Sequence, residues 1–339
     1  MVLLKKICPS CIHEINTPHL SSKIISCDAS ITMYQFLFST LNLTKKNEIV
    51  QPQDPSGISS GHIMGLIYRS LFFMENKIKP IWVFDGKPPD EKTDVLVQRM
   101  NRIAESEELM NESLDNNDFE NAFKYKVQSL RLTDEMKDDA KRVIGYLGLP
   151  MIISPGEAEA QCAYLSNLNE VYGALSEDSD CLVFGAKKLI KGLSVSEKSK
   201  KKVVQIDLEE VLKGLGLDMK GFIDLCILCG TDYNENIKYI GALTAYKHMK
   251  KHGDIETIVK EVIEKQKTSS KRQYIIPKDF DYKKIRELFT NPTVHKMTLK
   301  DIEWKKPDAN GLEKYLNEEK GFSINRTNNI LKRLEAIKY

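Results

Sequence analysis

Short apolar runs rich in β-branched residues recur along this chain, and two of them end on an acid, as Ile24-Ile-Ser-Cys-Asp28 and Ile81-Trp-Val-Phe-Asp85. Runs of this length read as strands buried on both faces, and longer helical stretches separate them. That alternation requires crossover connections. It constrains the chain to an α/β fold with a largely parallel central sheet flanked by helices. Strands are expected at Lys23–Cys27, Lys79–Phe84, Pro150–Ile153, Val171–Leu175, Leu189–Lys191 and Val203–Ile206. Helices are expected at Tyr34–Asn42, Gly61–Asn76, Glu157–Asn167 and Leu208–Leu215.

Two segments break the rhythm. Residues 88–141 are highly charged, with helical spacing at Leu96, Met100 and Ile103 and again at Phe119, Phe123, Val127 and Leu130. They read as an inserted helical hairpin with Asp115-Asn-Asn-Asp118 at its tip. From Asp224 onward the pattern is all-helical. Ser194–Lys202 reads as a basic turn between two strands. There is no internal repeat and no low-complexity tail. The expectation is one composite domain over 1–339, with regions 1–87, 88–141, 142–235 and 236–339.

The acids carry the chemistry. Asp28 and Asp85 end strands; Glu157 and Glu159 follow the third strand; Asp178 and Asp180 follow the fourth; Asp232 follows an apolar helix. Residues just past strand C-termini line one crevice in an open parallel sheet. Singly, each acid has a plainer reading as a helix cap or dipole partner. As a set, they would repel one another unless hard cations neutralised them. Oxygen ligands without His or thiolate favour Mg²⁺ or Mn²⁺, and paired ions of this kind serve phosphodiester cleavage.

Bulk composition narrows the class less. With 50 basic and 48 acidic residues, the net charge of +2 neither announces nor excludes nucleic-acid binding. Seven scattered cysteines fit a reducing compartment. The pairs Cys8/Cys11 and Cys226/Cys229 have zinc-type spacing, yet they lie far apart and read better as core cysteines. No apolar run suits a signal peptide or a membrane span, so a soluble intracellular protein is expected.

Five motifs in order resemble the flap endonuclease branch of the Rad2/XPG nucleases, from about Ser22 to Lys332: Cys27-Asp-Ala-Ser-Ile-Thr-Met-Tyr-Gln-Phe36, Val83-Phe-Asp-Gly-Lys-Pro-Pro89, Gly156-Glu-Ala-Glu-Ala160, Glu177-Asp-Ser-Asp-Cys-Leu182 and Leu228-Cys-Gly-Thr-Asp-Tyr233. The resemblance implies a PIN-like, resolvase-like nuclease core with a helical arch and a C-terminal helix–two-turn–helix region. It implies two Mg²⁺, replaceable by Mn²⁺ and held directly or through water: Asp28, Asp85, Glu157 and Glu159 round one ion, and Asp178, Asp180 and Asp232 round the other. Lys92 and Arg99 match arch residues that reach the scissile phosphate. Their spacing of seven, two helical turns, lets both face the metals. Implied DNA contacts are Tyr34 as a base-stacking platform, Arg69, Glu157, Gly230, Asp232 and Gly241. The implied activity is 5′ flap endonuclease with 5′–3′ exonuclease, acting as a nuclear monomer in Okazaki fragment maturation and base excision repair.

The chain departs from the family in three places. It opens MVLLKKI where the family has Met-Gly. Its helix–two-turn–helix reads Ile237-Lys-Tyr-Ile-Gly-Ala-Leu-Thr-Ala245 instead of Gly-Ile-Gly-Pro-Lys/Arg-Arg-Ala, so only Gly241 remains of the turn that holds a K⁺ against duplex phosphates; Lys247, Lys250 and Lys251 are substitute anchors. No Gln-x-x-hydrophobic-x-x-aromatic-aromatic peptide for the sliding clamp PCNA is present. Competing readings are a related exonuclease or junction resolvase, a non-catalytic nucleic-acid scaffold of the same fold, and a phosphotransferase.

Overall fold

The structure is a computed structural model, and it describes residues 2–193, 202–234, 237–263, 274–277 and 280–337. Its strands are β1 (Ile12–Ile15), β2 (Ile24–Asp28), β3 (Asn42–Leu43), β4 (Ile49–Val50), β5 (Lys79–Phe84), β6 (Met151–Ile153), β7 (Val171–Leu175), β8 (Lys188–Lys191) and β9 (Val203–Asp207). The main sheet runs β1-β9-β8-β7-β2-β5-β6. Strands from β8 to β6 are mutually parallel, while β9 is antiparallel to both β8 and β1. The chain leaves β2 towards β5 and β6 on one side and later fills β7 and β8 on the other. The order therefore reverses beside β2, where a crevice opens at the carboxyl ends.

Period-two alternation fills two cores from the same strand. On β5, Ile81 and Val83 face one core, and Trp82 and Phe84 face the other. Helices α1 (Val2–Ile7), α2 (Ala29–Ser39), α3 (Gly61–Glu75), α4 (Thr93–Asp115), α5 (Phe119–Gln128), α6 (Asp134–Tyr146), α7 (Ala158–Ser166), α8 (Asp180–Val183), α9 (Leu208–Leu215), α10 (Met219–Cys229) and α11 (Ala242–His252) follow in order. The first core takes residues of α7 to α11, and the second takes residues of α2, α3 and α6.

The inserted hairpin is α4 and α5. Asn117, at φ 57°, makes the tip, and Asp118 caps α5 by accepting from the Asn121 amide at 3.2 Å. The hairpin is shorter than 88–141, because α6 buries Met136, Ala140, Val143 and Ile144 and so belongs to the body.

Other expectations shift too. Helix α2 begins at Ala29, not Tyr34, because Asp28 caps it. Strand β1 was not expected. The part beyond Asp224 is not wholly helical: an extended stretch recrosses the body, where Trp304 Nε1 donates to the Pro80 carbonyl at 3.1 Å and the Lys305 amide to Gly148 at 2.8 Å. The C-terminal helix Ile324–Ala336 is tied to α3 by Arg333 and Glu75 at 2.7 Å. Of the basic turn, residues 194–201 lie outside the described residues. Among the described residues no helix is long and apolar enough to cross a membrane.

The cysteines are free thiols. Cys8 and Cys11 are buried in the core against α9, and burial pushes the Cys11 thiol up to about 12. Cys226 and Cys229 lie on α10, also with thiols raised by burial.

Candidate active site

The acids arrive from the ends of β2 and β5, the start of α7, the turn after β7 and the turn after α10. Asp28, Asp85, Glu157, Glu159, Asp178 and Asp232 line one cavity of about 380 Å³, together with Tyr34, Lys92 and Arg99 from α2 and the foot of the arch. Asp180 stands just behind, coupled to Asp178 and Asp232. All seven are therefore neighbours.

Local structure explains each placement. Asp28 is buried and does cap α2, accepting from the Ile31 amide at 3.1 Å, while its other oxygen accepts from Ser176 Oγ at 3.3 Å. The structural reading and the functional one coexist there. Asp85 accepts from Ser30 Oγ at 2.6 Å and from the Ala158 amide at 2.9 Å, bridging α2 and α7. Gly86 lets the next turn close: a Cβ there would lie 1.9 Å from the Ser154 carbonyl oxygen. Glu157 occupies the N-cap of α7, yet its side chain makes no capping bond. Instead one oxygen accepts from Lys92 and the other from the Tyr233 hydroxyl. Asp178 accepts from the Asp180 amide at 2.9 Å, a turn that lets acids two apart share one centre.

Electrostatics register the crowding. Burial, then repulsion from Asp85, pushes Asp28 up to about 7. Burial, then Asp178 and Asp232, does the same to Asp180. Glu159 rises to about 9 through burial, Asp28 and Asp85. Burial also raises Glu157, although Lys92 opposes it. Such shifts mark a site with more negative charge than its own cations compensate.

Lys92 was expected to face a phosphate. Here it sits among the acids: it is hydrogen-bonded to Glu157, 2.9 Å from an Asp232 oxygen and over the Tyr233 ring at 5.9 Å. One ammonium thus bridges acids assigned to two different ions. Arg99 lies over the Tyr34 ring at 5.4 Å, so this expected pair also shares the cavity. Among the described residues no three acids, His or Cys converge closely enough to hold a single ion directly; the two expected ligand sets allowed contact through water. The donor chemistry nonetheless fits a hard divalent cation. Every donor is oxygen, three carboxyls are strongly raised, and a side-chain cation already stands where charge is needed.

The other expected contacts fare differently. Arg69 is not a surface charge: it is 7% exposed, packed at 5.3 Å on the Phe36 ring and donating to Gln35 at 3.1 Å. Gly230 ends α10 at φ 92° and does not line the cavity. Gly241 caps α11 and is exposed, with open space where a Cβ would stand. Two residues before it, Tyr239 holds φ 72° where the family motif has glycine. Residues 235–236 of the same turn lie outside the described residues. Sequence reasoning missed Tyr233, Ser30 and Ser176 as carboxylate donors. The signal was adjacency, since Tyr233 follows Asp232 directly and Ser30 lies two residues after Asp28.

An acidic crevice at the switch point of a parallel sheet, roofed by a helical arch, defines a nuclease of the XPG type. The models of the XPG N-terminal domain and the XPG I-region match residues 2–106 and 148–232, the gap between them taking the end of α4, α5 and α6. The chain is 38% identical over 327 residues to flap endonuclease 1 of Tetrahymena thermophila, covering 96% of this chain and 84% of that protein. Its fold matches the catalytic core of Rad2 in complex with DNA substrate, at TM-score 0.72 and 25% identity, covering 98% of each chain. It also matches flap endonuclease-1 from Methanococcus jannaschii, at TM-score 0.70 and 27% identity, covering 95% of each. The chain belongs to the flap endonuclease family.

Proposed function

We propose that this chain is a Mg²⁺-dependent nuclease that cuts DNA where a single-stranded 5′ arm leaves a duplex, with 5′–3′ exonuclease action at nicks and ends. The observation that carries the reading is the Lys92 ammonium lodged between Glu157 and Asp232 in a crevice lined by six acids, with Asp180 beside them. A site that draws in a lysine to relieve its charge is built for cations, and the arch brings that lysine.

Asp28, Asp85, Glu157 and Glu159 would hold one ion and Asp178, Asp180 and Asp232 the other, in part through water. Two bound Mg²⁺, with Mn²⁺ as substitute, supply a deprotonated water and stabilise charge on the phosphoryl and leaving oxygens. The chain's own residues do the rest. With an ion bound, Glu157 would contact it, and the Lys92 ammonium, which sits between Glu157 and Asp232, would face the phosphate, with Arg99 as a second fixed charge. Tyr34 offers a ring on which the base beside the cut stacks. The arch of α4 and α5 passes the 5′ arm. Glu157, Asp232, Gly230 and Gly241 complete the DNA path, while Arg69 supports it by packing beneath α2. A K⁺ at the turn before Gly241 would have to tolerate Tyr239 in place of glycine, so duplex anchoring falls more on Lys247, Lys250 and Lys251. A monomer working in the nucleus, in Okazaki fragment maturation and base excision repair, fits this chemistry, with PCNA as the partner that the family resemblance implies.

The test is cleavage of end-labelled 5′-flap, nicked and blunt duplexes over a Mg²⁺ titration. Cutting should be absent in chelator, saturate with Mg²⁺ and favour the flap. Equal rates on all three substrates, or cutting in chelator, would overturn the reading.

A further inference from the structure

A second concave surface lies at the opposite end of the sheet from the acids. Two adjoining cavities of about 500 and 480 Å³ share Met74, Lys77 and Ile337. Strand β5 starts at this groove with Lys79 and finishes at the acidic crevice, roughly 20 Å away at about 3.3 Å per residue. The floor is apolar, with Ile78, Pro80, Leu149 and Trp304 among its residues. The indole is fixed by its bond to the Pro80 carbonyl.

The rim is basic. Lys77, Lys79 and Lys306 stand on the first cavity, and Lys332 on the second, all exposed. The only acid lining either cavity is Glu75, and Arg333 engages both its oxygens, at 2.7 and 2.8 Å. Among the described residues no acid pairs with those four lysines. On a chain with a net charge of +2, this is segregated positive charge round an apolar hollow.

We propose that this groove docks an acidic peptide segment of a partner protein, one that carries an aromatic or aliphatic side chain between its acids. An apolar centre with a charged rim is the anatomy of a protein-docking site. A concave aliphatic floor suits a side chain better than a sugar–phosphate backbone, which tracks open basic surface. Distance from the crevice separates docking from cutting.

The test is fluorescence anisotropy of the full chain with a short labelled peptide of aspartate and glutamate flanking a Phe-Leu pair. Three comparisons accompany it: the same peptide with Ala-Ala, a single-stranded oligonucleotide, and the variants Lys79→Glu with Lys306→Glu and, on a different face, Lys213→Glu. Saturable binding is expected, weakened about tenfold or more by the Lys79→Glu/Lys306→Glu pair and by loss of Phe-Leu, and unchanged in Lys213→Glu. Flap cleavage should be unchanged in the double variant. Absence of saturable binding, equal binding by all variants, or displacement by the oligonucleotide at lower concentration than by unlabelled peptide would overturn the proposal.

Discussion

The Lys92 ammonium lies 2.9 Å from a carboxylate oxygen of Asp232, joining the foot of the arch to the turn after α10. Because the same ammonium also holds Glu157, the arch base is anchored on the acids that are proposed to hold metal. As proposed, metal loading would be coupled to arch position through this one side chain. The tie is further braced by Glu91, whose carboxylate meets Lys284 at 2.9 Å on the helix Tyr282–Thr290.

Replacing Lys92 or Arg99 with alanine should therefore slow flap cleavage by about 10²–10³-fold while flap binding changes only a few-fold. Single-turnover rates beside equilibrium binding make the comparison. Equal losses in rate and affinity would reduce both residues to simple DNA contacts.

Tyr233→Phe removes the hydroxyl donated to Glu157 but keeps the ring, which packs edge-on against Phe289 at 5.2 Å. Folding stability should fall by only about 1 kcal/mol. Cleavage should drop about tenfold, with most of the loss recovered at high Mg²⁺, since the hydroxyl orients a carboxylate and does not touch substrate. A loss that Mg²⁺ does not recover would count against that role.

Acid titration gives a third expectation. Unfolded Asp and Glu carboxyls titrate near 4, whereas the native values are about 7 for Asp28 and Asp180 and about 9 for Glu159. Between those limits the native chain keeps protons that the unfolded chain has released. Metal-free stability is thus highest at the acid end of the window and falls as the pH rises through about 7 to 9. Asp139 does not reverse this. Burial raises it, but the Tyr315 hydroxyl at 2.6 Å and the Lys320 ammonium at 2.7 Å, with His62 at 3.7 Å, outweigh burial and hold it at about 2, so its contribution is constant above about pH 4. Thermal unfolding in chelator should show a melting temperature that declines from about pH 5 to 9, and Mg²⁺ should restore it at the alkaline end only. A flat profile would mean the acids are not crowded as described.

Flap affinity should fall at least about tenfold between low and physiological salt, because phosphate contacts and counterion release dominate binding by a nuclease that reads structure. Filter binding over a salt series measures the slope. A salt-independent affinity would favour a protein-docking role for the arch.

Much of this architecture was legible in the chain. β-branched runs marked the six expected strands, and Asp115–Asp118 marked the hairpin tip because two polar turn residues interrupt helical spacing. Strand β1 escaped notice since Ile12-His-Glu-Ile15 is short and half polar, and it is held by pairing with β9, distant in sequence. Arg69 was expected as a DNA contact, yet its guanidinium is packed on Phe36 and donates to Gln35. Its helix is buried nearly all round, at Ile63, Leu66, Ile67, Leu71 and Phe73, and that pattern was the available warning. The convergence of the acids followed from strand order, but their partners did not. Which oxygen meets Lys92 or Tyr233 depends on how the arch foot and the α10 turn dock, which no local pattern encodes.

Mn²⁺ binding to the metal-free protein can be counted by electron paramagnetic resonance. The acidic crevice should take up about two ions per chain, displaceable by Mg²⁺, and Asp180→Ala should lose at least one of them while remaining folded. Uptake no greater than that of a folded protein without such a crevice, or identical uptake by wild type and Asp180→Ala, would contradict it.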